Sequence, residues 1–447
     1  MRRKTLASLI AVGIIAALSF FSINPEKPDD WPMFRHDPQH TGYTDCKIPD
    51  QLGLVWKYET GGPVDSSAAV VDGYVYIGSD DGFVYCLTAD AGDLVWKYET
   101  GDSISSSAAV VDGHVYIGSD DGFVYCLTAD AGDLVWKYET GDDVWPSPAV
   151  TDGKVYVGSG DHYVYCLDAY TGEVVWSYDT YVWITSSPAV CDGKVYIGAR
   201  DTHLYCLDAH TGELIWSYGS GQPYVRVRSS PTVTDGNVYF GSYVYPCCNS
   251  FFYSLDAQTG ALVWWREISD ELLYSSPAAA YGNVYVGSGN NYIYCFRAGT
   301  GDLAWKYETD DDIGSSPAVA DNKVYVGSYD AHFYCLDAHT GKLVWKYETG
   351  DKIVRSSPVI SGKKVYVGSH DGCVYCFGAK RTESPSTTQE SSPVFSQAET
   401  KMPPAVPLSM TAPPPAVNPW PTKMLAAGVI IAVLITAIVV VLYLKRR

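Results

Sequence analysis

Several residues of this 447-residue chain are of types that do chemistry elsewhere. Cys247 and Cys248 are adjacent within Tyr245-Pro246-Cys247-Cys248-Asn249, and Cys373 and Cys376 stand in C-x-x-C spacing. An adjacent pair in a loop reads first as a rigid turn. A strand over Cys373–Cys376 would point its two thiols to opposite faces, so redox chemistry is the weaker reading of both. Asp81, Asp121, Asp161, Asp201, Asp330 and Asp371 recur at one place in six repeats. They invite a calcium reading, but calcium takes about six to eight oxygens, whereas an Asp-Gly hairpin turn needs only these residues. The nine histidines form no H-x-H or H-E-x-x-H arrangement, so no metal site is predicted.

The elements that must position such groups follow from a repeat. Trp56, Trp96, Trp136, Trp176, Trp216, Trp264, Trp305 and Trp345 are spaced at or close to 40 residues, with one step of 48. Tyr85, Tyr125, Tyr165, Tyr205, Tyr253, Tyr294, Tyr334 and Tyr375 keep the same period. Each unit contains four short β-branched and aromatic runs separated by turn signals, which is one four-stranded meander. Leu94-Val95-Trp96-Lys97-Tyr98-Glu99 alternates, placing Leu, Trp and Tyr on the covered face of an outer strand. Phe83-Val84-Tyr85-Cys86-Leu87 is apolar on both faces, as a sandwiched strand is. Eight such units predict an all-β, eight-bladed propeller. The last unit lacks a tryptophan strand and the chain opens with a lone one, so residues 52–59 are expected to close blade 8.

That frame assigns the sites. The residue before each inner strand is Asp65, Ser105, Trp145, Thr185, Arg228, Tyr274, Gly314 or Arg355. Blade 5 also departs from the period, with extra residues around Tyr224, Arg226, Arg228, Tyr243, Tyr245 and the cysteine pair. Trp145, Arg226, Arg228, Tyr274, Arg355, Cys247 and Cys248 are therefore the candidate binding residues, suited to an anionic or peptide ligand. No catalytic residue is assigned. The competing explanation is that bulky side chains simply plug a wide channel. Cys86, Cys126, Cys166, Cys206, Cys295, Cys335 and Cys376 sit once per blade and are expected to be free and inert, because blades pack about 10 Å apart.

Charge and termini bound the setting. Lys+Arg 31 against Asp+Glu 51 gives a net charge of -20, and residues 31–379 alone carry 20 basic and 45 acidic side chains, a net of -25. Nucleic acid is an unsuitable partner for such a surface. Residues 1–23 have the basic start and apolar run of a signal peptide or N-terminal anchor. Residues 380–423 hold ten prolines and twelve Ser/Thr and read as an extended stalk. Residues 424–444 carry no charge and are long enough for one transmembrane helix, and the basic 445–447 would stay cytoplasmic. The propeller, residues 31–379, is thus expected outside the cell membrane, held by one or two spans.

Asp168-Ala169-Tyr170-Thr171-Gly172-Glu173-Val174-Val175-Trp176 and its counterparts ending at Trp216 and Trp345 resemble the tryptophan-docking motif of pyrroloquinoline quinone (PQQ)-type propeller repeats. Trp31-Pro32-Met33-Phe34-Arg35-His36-Asp37 with Thr41-Gly42 resembles the lead-in of such proteins. The resemblance implies structural docking by all eight tryptophans. It also implies one of two roles, a cofactor-free scaffold similar to BamB or a quinoprotein dehydrogenase using PQQ with calcium, a vicinal disulfide being a hallmark of several such alcohol dehydrogenases. Residues 66–101 and 106–141 differ only at Tyr74 and His114. A freshly copied blade carries no unique catalytic group, so the expectation is a non-catalytic cell-surface scaffold or binding protein without cofactor. The alternative is a PQQ-dependent oxidoreductase.

Overall fold

In the computed structural model the described residues are 30–219, 225–244, 249–269 and 274–380. Cys247, Cys248, Tyr224, Tyr245, the signal or anchor segment, the stalk and the transmembrane run lie outside them. Among the described residues there is no helix, and the strands form eight separate sheets around a common axis.

Blade 1 shows the plan. Its strands are Ala69–Val71, Tyr74–Gly78, Phe83–Thr88 and Leu94–Glu99, paired antiparallel in chain order from the axis outward. The first turn uses Asp72 and Gly73, both at positive φ, as a two-residue hairpin requires. The third strand is buried over Val84–Leu87, and hydrophobic clusters lie between successive blades, as where Tyr76 and Cys86 pack with Ile117 and Tyr125. The eighth sheet is closed as expected: Leu52–Glu59 pairs antiparallel with Cys373–Ala379, placing Trp56 opposite Cys376.

The outer strand corrects the simple alternation. Leu94 is 45% exposed and Val95 43%, while Trp96 is buried. Pairing slips between Leu94 and Trp96, so Val95 is the extra residue of a β-bulge and both apolar neighbours of the tryptophan face outward.

The tryptophans dock as the resemblance implies in seven of eight cases. Trp136 Nε1 donates to the Ala169 carbonyl of the next blade at 2.9 Å, and its ring lies against Gly172. The same pair of contacts serves Trp56, Trp96, Trp176, Trp216, Trp264 and Trp305. The second-strand tyrosine adds to the joint, as where Tyr116 donates to the same Ala169 carbonyl at 3.1 Å. Trp345 does not dock this way. Blade 8 takes its outer strand from the start of the chain and so has no turn to offer a carbonyl. Trp345 packs instead on Phe333 and Phe377, and the buried Tyr325 hydroxyl is left without a partner. Cys46, Ile48 and Leu52 fill that junction from the lead-in.

The residues just before them close one end of the channel. Trp31 bridges Val70 of blade 1, and the carbonyls of Pro32, Pro38, Gln39, Thr41 and Gly42 accept from the inner strands of blades 2, 4, 5, 6 and 7. Arg35 is fully buried and donates to the carbonyls of Pro277 and Pro317, and burial pulls its pKa down to about 9 against the pull of Asp37. His40 lies 3.2 Å from the Pro231 carbonyl and burial pushes its pKa down to about 4, so it is neutral near pH 7. The buried Arg35 charge is thus anchored on backbone oxygens, with Asp37 as the neighbouring counter-charge.

Candidate functional site

The opposite end of the channel is an open cup. The turn between second and third strands and the link from the previous outer strand meet on this face: Gly61 N–H donates to Asp81 Oδ2 at 2.6 Å. Asp81 also accepts from Phe83 N–H and Tyr85 hydroxyl, so the recurring aspartate is occupied as a clasp between turn, strand and link. Only the residue after it, Gly82, takes positive φ. This turn is accordingly not the doubly left-handed hairpin that Asp-Gly suggests, and the calcium reading gains nothing from it.

The cup has a volume of about 380 Å³. All eight residues preceding the inner strands line it, so Trp145, Arg228, Tyr274 and Arg355 are brought together with Asp65, Ser105, Thr185 and Gly314. Phe34 of the plug forms its floor. Arg226 lies in an adjoining cavity with Trp183, Arg200 and Tyr181. Tyr243 is buried beside Tyr274, with ring centres 6.1 Å apart, and is not presented to a partner.

Its wall is a ring of serines. Ser67 N–H donates to Ser107 Oγ at 2.9 Å, and Ser107, Ser147, Ser187, Ser230, Ser276, Ser316 and Ser357 each donate to the next, the last returning to Ser67. Serine is needed because a β-hydroxyl is short enough to accept from the neighbouring blade without crowding the axis.

The charge is unevenly placed. Arg228 sits 4.9 Å over the Tyr274 ring and Arg200 5.1 Å over Trp183, whose ring is 6.2 Å from Trp145. Burial and the neighbouring Arg228 and Arg226 lower the Arg200 pKa. Across the cup Asp65 is held by His370 at 2.7 Å and by Arg355 at 3.9 Å, and that hydrogen bond raises the His370 pKa. Asp80 and Asp120, beside the rim, each bury one carboxylate oxygen without a partner, and burial pushes their pKa values up to about 6 and about 7. An acidic body thus carries a locally cationic, aromatic cup.

Arg200, Trp183, Asp80, Asp120, His370 and the serine ring were missed by the sequence reading. A signal existed. Asp80, Asp120, Gly160, Arg200, Tyr329 and His370 occupy one column of the repeat, immediately before the clasping aspartate. It varies as strongly as the column that was read.

The family described as outer membrane protein assembly factor BamB matches residues 50–146, 124–272 and 249–381. The chain belongs to that family. Among solved structures, BamB from Moraxella catarrhalis is 22% identical, with a TM-score of 0.64, covering 73% of this chain and 100% of its own. A europium-containing methanol dehydrogenase is 16% identical, with a TM-score of 0.67 and coverage of 79% and 98%. Quinohemoprotein alcohol dehydrogenase from Comamonas testosteroni is 18% identical, with a TM-score of 0.66 and coverage of 80% and 81%. At these identities the likeness is one of fold. No curated protein matches the chain.

Some of these neighbours are quinoproteins, and among the described residues the cup of this BamB-family propeller does not offer the ligands that a calcium-bound quinone needs. Asp65, the carboxylate that lines it, is already engaged by His370 and Arg355, and the other charged groups lining it are Arg200, Arg228 and Arg355. Among the described residues this donor set does not fit a divalent cation, which calls for several free oxygens.

Proposed function

We propose that this chain is a non-catalytic cell-surface scaffold or binding protein that receives a protein or an anionic or peptide ligand in the cup. The carrying observation is the blind cavity itself, rimmed by arginines and aromatic rings and floored by the plug. A concave pocket that sets aromatic surface beside converging polar groups is what ligand sites share. The direction of the chain ends supports it. Asp30 contacts the first turn of blade 1, and Lys380 N–H donates to Gln51, both on the plugged face. Both ends of the described propeller therefore lie on the face opposite the cup.

The test pairs two measurements on the purified full chain. Incubation with PQQ and calcium, followed by dye-linked alcohol oxidation, is expected to give no turnover. Partner capture from the cell surface is expected to succeed and to be lost in the double variant Arg228→Gln, Arg355→Gln with its melting temperature unchanged. Cofactor-dependent turnover, or capture indifferent to both substitutions, overturns the proposal.

A further inference from the structure

The serine ring leaves a second set of donors unused. Each Oγ accepts a backbone N–H from the neighbouring blade, which leaves its own O–H to place. Ser357 directs its hydroxyl at the Arg355 carbonyl, 3.4 Å away. For Ser67, Ser107, Ser147, Ser187, Ser230, Ser276 and Ser316 no acceptor exists among the described residues, although all seven are at least 95% buried and all line the cup. Each hydroxyl oxygen already accepts one N–H, so its hydrogen is the group left to place on whatever enters. Arg228 and Arg200 lie above the same wall and add positive charge. Hydrogens converging from several blades with guanidinium groups above them suit an oxyanion.

The shape narrows the source. Phe34 of the plug lies at the bottom of the cavity, so a polypeptide does not thread through, and a chain end is the part that enters without doubling back. The apolar surface of Trp145, Trp183 and Tyr274 lies above the hydroxyls, where the side chain next to a terminal carboxylate would stand. We propose that the cup captures the free C-terminal carboxylate of a partner polypeptide whose last side chain is apolar: the carboxylate accepts from the serine hydroxyls and Arg228, and the side chain packs on the tryptophans. This mode of chain-end capture uses donors in place of a strand or groove. It rests on the cup being a binding site, as proposed above.

Calorimetry on the full chain with acetyl-Ser-Gly-Gly-Ser-Phe as the free acid, the same peptide as its C-terminal amide, and 3-phenylpropionate tests it. The acid is expected to bind at least tenfold more tightly than the amide and than 3-phenylpropionate. Ser187→Ala is expected to weaken the acid by roughly threefold to tenfold, as loss of one directed donor does, and to leave the amide unchanged. Should that variant not fold, the acid-to-amide ratio on the parent chain decides alone. Equal binding of acid and amide overturns carboxylate capture while leaving the cup as a binding site. Equal binding of 3-phenylpropionate and peptide overturns the chain-end occupant. Failure of all three probes, with surface-partner capture still dependent on Arg228, overturns this inference only; failure of capture as well removes both.

Discussion

Ser357 N–H donates to Ser67 Oγ at 2.9 Å across 290 residues of sequence, and this bond completes the ring that joins blade 8 to blade 1. It closes the propeller at the axis as the pairing of Leu52–Glu59 with Cys373–Ala379 closes it at the periphery. Ser67→Ala removes the acceptor and leaves a buried N–H unpaired. The expected cost is about 1–3 kcal/mol, seen as a lower urea midpoint with an unchanged slope. An unchanged midpoint would show that the ring lines the channel without holding it.

Gly193 and Gly212 separate backbone strain from close packing. Their φ values are +69° and +73°, but a Cβ on Gly193 meets nothing within 4 Å, whereas one on Gly212 falls 2.7 Å from the Trp176 ring. Gly193→Ala should cost about 1–2 kcal/mol for the left-handed conformation alone. Gly212→Ala should cost a further ~1–3 kcal/mol because the docked indole must shift. Equal losses in thermal or urea melts would mean that the tryptophan joint is loose.

Asp120 gives a pH signature. Burial raises its pKa to about 7 in the folded protein, against the ordinary carboxylate value near 4 when unfolded. Between these values the folded state holds a proton that the unfolded state has released, so stability falls as pH rises from about 4 to about 7 and then levels. Asp120→Asn removes the titrating group. The variant should exceed the parent in stability at pH 8 and approach it at pH 4; the opposite ordering would show that the Asp120 charge is stabilised by neighbours, not penalised by burial.

The periodic thiols should be silent. Burial pushes Cys86, Cys126, Cys166, Cys206, Cys295, Cys335 and Cys376 up to about 12, and all are free. At pH 8 the thiolate is then on the order of one molecule in ten thousand, and it is sheltered as well. Alkylation of the native chain followed by peptide mass mapping should leave these seven unlabelled and find them labelled after denaturation. Labelling of any one in the native state would expose a locally open blade.

The repeat made the propeller legible without a structure. Period, strand composition and the displaced first strand depend on residues near one another in sequence, and each blade restates them, so eight copies of a local pattern fix blade number and ring closure. The same period singled out Trp145, Arg228, Tyr274 and Arg355, because they share one position of the repeat, just before the inner strand. What it could not reach were relations across blades. Outward Leu94 follows from a bulge that only strand pairing creates. Trp345 loses its acceptor because blade 8 borrows a strand from the far end of the chain. The lead-in from Trp31 to Gly42 reads as a motif, yet its place as a plug depends on inner-strand N–H groups of blades distant in sequence. The cup's donors likewise arise only where eight serines, each unremarked in its own repeat, converge on one axis and each accept a neighbour's N–H, which leaves seven hydroxyl hydrogens for the cup. Local periodicity determines the fold; convergence at the axis, which no local pattern encodes, decides what that fold can hold.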